Sequence, residues 1–336
     1  MPEQIETEVY GIFSNIDHTI LKLNPILLKH GYEFEAVSLS KLELQFSEVF
    51  NIPRHQKPQQ NIIKSITMDG VNSVSEYFDD ALNYYFPLTK HADEETILNQ
   101  EVYLLKLSKN INTEHGDNYY MVGESEIALL QISVFSDKLI RVLRLYKEGQ
   151  INFQGYFSIF KKERKVLRKI KTADKPISSK VDYTISSDDI SVLSELINSP
   201  TLIPPHLSLA VDSFELTYKI PEPNIKFTLL IIALESIFNR SSLEPIRHII
   251  SRHTAILLSS DTNEFDLISS QVKKLYDTRS KIVHGSMPIQ KSDQSLIEQL
   301  RALENIVRKA ISRIILLNDV KSKDELYEYL NKKGLN

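Results

Sequence analysis

"PEPNIKFTLLIIALESIFNR", residues 221–240, opens with two prolines and then runs apolar on nearly every side of a helix. Proline is tolerated in a first helical turn, and a helix that is apolar all round has to be enclosed by others. The stretch predicts the central helix of a bundle. Within it Glu235 stands between Leu234 and Ser236, where a carboxylate is rarely buried without a partner.

The flanking sequence supplies the enclosing helices. "HLSLAVDSFELTYKI", residues 206–220, sets Leu207, Val211, Phe214 and Tyr218 at helical spacings. "SSDDISVLSELINSP", residues 186–200, begins at a capping serine and stops before Pro200. "LEPIRHIISRHTAILLSS" (243–260) and "EFDLISSQVKKLYDTRSKIVHG" (264–285) follow. In "SLIEQLRALENIVRKAISRIILLND" (295–319), Leu296, Leu300, Leu303, Val307, Ala310, Ile314 and Leu317 alternate steps of four and three. Ser295 and Glu298 have capping-box spacing there.

Upstream the pattern is mixed. "YEFEAVSLSKLELQF" (32–46) and "EVYLLKLSKNI" (101–111) read as strands. "VNSVSEYFDDALNYYF" (71–86) and "SDKLIRVLRLYKEG" (136–149) read as helices, the second with Ser136 as N-cap and Gly149 as its stop. The chain of 336 residues exceeds the roughly 250–300 residues at which single cores stop growing. The expected fold class is therefore α+β, a mixed domain over residues 1–185 followed by an all-α bundle over 186–336.

Composition narrows the chemistry. The chain has no cysteine, which excludes disulfides, thiolate zinc sites, iron–sulfur clusters and cysteine nucleophiles. With nine glycines it forms neither a P-loop nor a GxGxxG turn, and there is no internal repeat. Residues 1–10 carry Glu3, Glu6 and Glu8 and no basic residue, unlike a secretory leader. The apolar run Leu229–Leu234 is far below the ~20 residues of a membrane span. A cytoplasmic protein is expected, without membrane contact. The mixed domain carries no chemical motif, so sensing, substrate positioning or partner binding is left to it by elimination.

Residues 161–175, "KKERKVLRKIKTADK", hold eight Lys or Arg against Glu163 and Asp174, leaving the rest of a chain of net charge −4 strongly acidic. Such a run can contact phosphates, and Lys161, Lys162, Arg164, Lys165, Arg168 and Lys169 are the candidate RNA-binding residues. The alternative is a solvated helix face or a linker.

The segment "LYDTRSKIVHG", residues 275–285, places Arg279, Ser280 and His284 near a helix end. At about 100° per residue, Val272, Leu275, Ile282 and Val283 fall within about 60° of Ile268, and Arg279 falls inside the same stripe. An unpaired guanidinium there would be costly, so Glu235 is the expected partner. His284 lies about 160° from Ile268, just before Gly285, where a histidine can also serve only the helix end. An arginine followed after four to six residues by a histidine should arise about once by chance in such a chain. The second instance, Arg247 with His253, reads as part of a basic helix face. Tyr276 reads as packing.

"LYDTRSKIVHG", with "IALESIF" and "ISRHTAILL" before it in the same bundle, resembles the HEPN superfamily and within it the ApeA-like HEPN group of prokaryotic defence proteins. The resemblance covers roughly residues 187–318. It implies a HEPN-like helical bundle that dimerises, and a metal-independent endoribonuclease that uses no cofactor. Catalysis would fall to Arg279, His284, Glu235 and Ser280, with Ser280 standing where asparagine, aspartate or histidine is most common. In such enzymes the RNA 2′-hydroxyl attacks the adjacent phosphodiester, leaving a 2′,3′-cyclic phosphate and a 5′-hydroxyl. Two copies of the motif across a twofold axis would provide one histidine as base and one as acid. The implied setting is anti-phage defence by abortive infection, or a toxin system, with a phage-derived or protein trigger at the N-terminal domain. A non-catalytic HEPN-type dimerisation or nucleotide- or partner-binding module, and a helical adaptor whose charged pair is architectural, stay open beside it.

Overall fold

The computed structural model describes residues 3–38, 101–113, 118–149, 151–160, 166–169, 183–199, 203–239, 245–285, 294–317 and 319–334. The expected helix at 71–86 lies outside them. The architecture is α+β, an N-terminal antiparallel sheet and a helical C-terminal region. The chain divides into two compact units, residues 1–140 with 149–194, and residues 141–148 with 195–336.

The first unit is built on five strands: β1 (Glu3–Ser14), β2 (Tyr32–Ser38), β3 (Glu101–Thr113), β4 (Asn152–Phe160) and β5 (Val166–Lys169). Their order is β2-β3-β1-β4-β5, every pairing antiparallel. Period-two alternation is clear in β2, where Tyr32, Phe34 and Val37 are buried while Glu33 and Glu35 are not. Lys106 on β3 meets Glu8 at 3.0 Å and Glu35 at 3.4 Å, so the acidic residues of two neighbouring strands share one cation.

Helix α1 (Asn118–Tyr146) overturns the expectation of a helix starting at Ser136. Ser136 is fully buried inside it, on the stripe of Ala128, Ile132, Leu139 and Leu143. That continuous apolar face outweighs the weak preference of serine for a cap. A Cβ on Gly11 of β1 would lie 3.2 Å from the Ser136 hydroxyl and 3.1 Å from the Phe153 ring, so glycine permits the close approach of helix and strand.

The second unit gathers α2's final turn and the helices that follow, with α2 spanning Asp189–Asn198, α3 Ser208–Leu216 and α4 Pro223–Phe238. Beyond them come α5 (Ile246–Leu258), α6 (Thr262–Val283), α7 (Gln294–Ile315) and α8 (Lys323–Gly334). The apolar α4 is enclosed as its composition requires: it packs against α3, α5, α6 and α7 and buries Phe227, Leu230, Ile231, Leu234, Ile237 and Phe238. On α7, Leu296, Leu303, Val307, Ala310 and Ile314 face the core. Ser295, expected as the N-cap of a capping box with Glu298, lies within the helix. Glu298 accepts from the Gln294 side-chain amide at 3.2 Å.

The last turn of α1 belongs to this unit, and polar side chains of α7 close it. Arg308 donates through Nε to the Arg144 carbonyl at 2.8 Å, and the Ser312 hydroxyl donates to the Leu145 carbonyl. Terminal carbonyls that have no partner inside the helix are thus satisfied, one of them by a cation at the negative end of the dipole. Arg308 pairs with Glu304, Arg144 pairs with Glu215, and the Arg144 guanidinium lies 4.1 Å from the centre of the Tyr218 ring. Arg308→Met keeps the volume but leaves Glu304 and the helix end without their cation. It should destabilise the helical unit by about 3–5 kcal/mol, read from urea denaturation followed by circular dichroism; a loss under about 1 kcal/mol would show that the cluster is replaceable by packing.

Candidate functional site

Helix α6 is held at its start by reciprocal caps. Asp261 accepts from the Glu264 N–H at 2.8 Å, while the Glu264 carboxylate accepts from the Ser260 N–H and hydroxyl at 2.7 Å each. Its buried face carries Ser269, Val272 and Leu275. At the other end His284 is the C-cap, its N–H donating to the Ser280 carbonyl at 3.0 Å. Gly285 follows with φ +67°, the left-handed turn that ends a helix at low steric cost. Val283, expected within the buried stripe, is 51% exposed; it sits at the stripe's margin in the final turn.

Arg279 is half-buried. Its Nε is shut off from solvent with no hydrogen-bond acceptor, and its guanidinium carbon lies 5.9 Å from the centre of the Tyr276 ring. The expected ion pair with Glu235 is not formed. Glu235, half-buried on α4, accepts instead from the Tyr276 hydroxyl at 3.0 Å through Oε1. Tyr276 sits one helical turn before Arg279, so its phenol reaches the carboxylate first while its ring flanks the guanidinium. The only sign of this along the chain is a tyrosine three residues ahead of the arginine.

His284 is exposed, and its imidazole has no hydrogen-bond partner among the described residues. Ser280 is half-buried beside Arg279. The structure thus brings Arg279, Tyr276 and Glu235 together and leaves His284 on the same helix end, turned to solvent. Arg247 and His253 do not form a shared basic face. Arg247 pairs with Asp277 of α6 at 2.6 Å near the surface, whereas His253 is buried with its ring edge-on to Tyr327 at 5.1 Å. Position 253 lies with Ile249, Ile250, Ile256 and Leu257 on the core side of α5.

Of the basic run only Val166–Lys169 is described. It forms β5 at the sheet edge, paired with β4, so Arg168 and Lys169 belong to a strand rather than to a helix face or linker. Lys161, Lys162, Arg164 and Lys165 lie outside the described residues. Among the described residues no three His, Asp or Glu side chains cluster to hold a metal ion, and no helix is long and apolar enough to cross a membrane. No protein-family model, curated protein or solved structure matches the chain.

Burial pushes the Tyr276 hydroxyl above its usual range, and the Glu235 charge and hydrogen bond push it further, against a smaller opposing pull from Arg279. A folded-state value raised above that of the unfolded chain favours the native state at every pH below about 10. That contribution is lost as pH rises through the folded value. The stability difference between the wild type and Tyr276→Phe should accordingly be constant from pH 7 to 9 and shrink above pH 10, as measured by urea denaturation; a difference that grows with pH contradicts the assignment.

Proposed function

We propose that the protein is a metal-independent endoribonuclease of HEPN type. The observation that carries this reading is the state of Arg279. A guanidinium with its Nε desolvated and without an acceptor, and with no carboxylate paired to it among the described residues, is a poor structural element, and its planar fork suits a phosphate oxygen. An exposed histidine five residues on, at the same helix end, supplies a side chain able to accept and to donate a proton.

The reaction needs both. A base takes the proton from the RNA 2′-hydroxyl, whose oxygen forms a bond to phosphorus. The bond from phosphorus to the 5′-oxygen breaks, and an acid returns a proton to that oxygen. The cation stabilises charge on the non-bridging oxygens as they crowd around phosphorus. One copy of α6 turns Arg279 inward and His284 outward, so the site is completed across a homodimer through the C-terminal bundle, with one histidine as base and the other as acid. Ser280, half-buried and next to Arg279 in the chain, would contact the same phosphate. The basic run 161–175 adds RNA affinity without specificity, and the N-terminal unit controls firing through a phage-derived or protein trigger in a cytoplasmic defence or toxin role.

A second reading draws on the C-cap position of His284. If the histidine serves only the helix end, the same bundle is a non-catalytic dimerisation or nucleotide- or partner-binding module.

Incubation with RNA in EDTA separates the two. Cleavage that persists and leaves 2′,3′-cyclic phosphate and 5′-hydroxyl ends is the expected result, and binding without cleavage would favour the second reading. His284→Ala should lower the rate on the order of a hundredfold or more while changing stability by no more than ~1 kcal/mol. Mixing His284→Ala with Arg279→Ala subunits under exchange should restore part of the activity if the two side chains come from different subunits. Reversing Lys165, Arg168 and Lys169 to glutamate should weaken RNA binding and flatten its salt dependence; unchanged affinity and slope would remove the run from the RNA contact.

A further inference from the structure

Tyr276 touches both other members of the buried part of the site. Its hydroxyl donates to Glu235 Oε1 at 3.0 Å, and its ring lies 5.9 Å from the guanidinium carbon of Arg279. Glu235 is the carboxylate that the sequence nominates for Arg279, yet the two form no ion pair, and the Arg279 Nε–H is left without an acceptor. An unpaired, half-buried carboxylate one helix away from an unpaired guanidinium should close on it, since a charge-assisted bidentate pair is stronger than a neutral hydrogen bond. The phenol removes that drive by satisfying the carboxylate first.

We propose that Tyr276 is a positioning residue for an anion site at Arg279: by holding Glu235 it prevents a Glu235–Arg279 ion pair and keeps the guanidinium fork open for a phosphate group. The inference rests on the ribonuclease reading only in taking the ligand of Arg279 to be a phosphodiester. It gives the tyrosine hydroxyl a role that phenylalanine could not fill. A phenylalanine ring would still flank the cation, but it would leave Glu235 without a donor, and Arg279 is the cation that stands ready to answer it.

The test is a double-mutant cycle read on the full-length protein with inorganic phosphate as the probe. Binding is followed through the side-chain Nε–H resonance of Arg279, identified by its loss in Arg279→Lys. Phosphate should move that resonance in the wild type. Tyr276→Phe should weaken phosphate binding about tenfold, the factor corresponding to one competing hydrogen bond to a charged group. In a Glu235→Gln background the same substitution should change affinity less than about twofold, because glutamine cannot form the competing ion pair.

Removing a negative charge near the site raises phosphate affinity in any account, so the non-additivity, and not the rise itself, carries the result. Equal losses from Tyr276→Phe in both backgrounds, or no loss in either, overturn the proposal. So does a wild-type Arg279 resonance that phosphate leaves unmoved. Glu235→Gln alone is a second check that does not require Tyr276→Phe to fold: it should bind phosphate at least as tightly as the wild type, and weaker binding would mean that the carboxylate itself supports the anion. RNA cleavage is scored separately. A coupled cycle in a protein that cuts no RNA retains the anion site and discards the ribonuclease, whereas cleavage with an uncoupled cycle does the reverse.

Discussion

Glu235 lies on α4, the helix that α3, α5, α6 and α7 enclose, and a carboxylate at such a place has to receive a proton donor or a cation before the bundle can close. The choice made is the Tyr276 hydroxyl. That hydrogen bond joins α4 to α6, whose buried face carries Val272 and Leu275. Arg279 lies beside the same tyrosine ring, its Nε without an acceptor. A cation in that condition is a weak structural element, and its Nε keeps hydrogen-bonding capacity that the proposed anion site would use.

The same balance is struck differently at the last turn of α1. There two arginines and two glutamates are paired, and Arg308 also closes a helix end by donating to the Arg144 carbonyl. Every cation of that cluster has a carboxylate, so its role is architectural: it fastens residues 141–148 into the helical unit. Arg279 is half-buried and Arg308 buried in the same bundle, and they differ in whether a carboxylate is paired with them. The contrast is the reason for looking to Arg279, and not to the more deeply buried Arg308, for chemistry.

His284 joins Arg279 through the geometry of a helix terminus. Five residues along a helix turn two side chains to different sides, and the C-cap position puts the imidazole in solvent. For one phosphate to meet both groups, either a second copy of the bundle or a flexible substrate has to bridge the turn. In the proposed dimer, a twofold axis would bring one chain's histidine to the other's arginine.

The sequence by itself determined the α+β class, the enclosed position of α4 and the buried faces of α3 and α7, because these follow from hydrophobic periodicity, and burying apolar area is indifferent to which neighbour provides the cover. It also determined that Arg279 would point inward and His284 outward, since both are consequences of 3.6 residues per turn. Tertiary structure decided what periodicity cannot encode. Ser136 was drawn into the interior of α1 because its neighbours extend one apolar stripe, and His253 entered the core of α5 because it shares a face with Ile249 and Ile256. Above all, the partner of Glu235 was a contest between Arg279 and Tyr276 on one helix. Charge favours the arginine, but hydrogen bonding is directional and short-ranged, so the residue whose donor actually reaches the carboxylate prevailed, and reach is a property of packed helices that spacing along a chain does not specify.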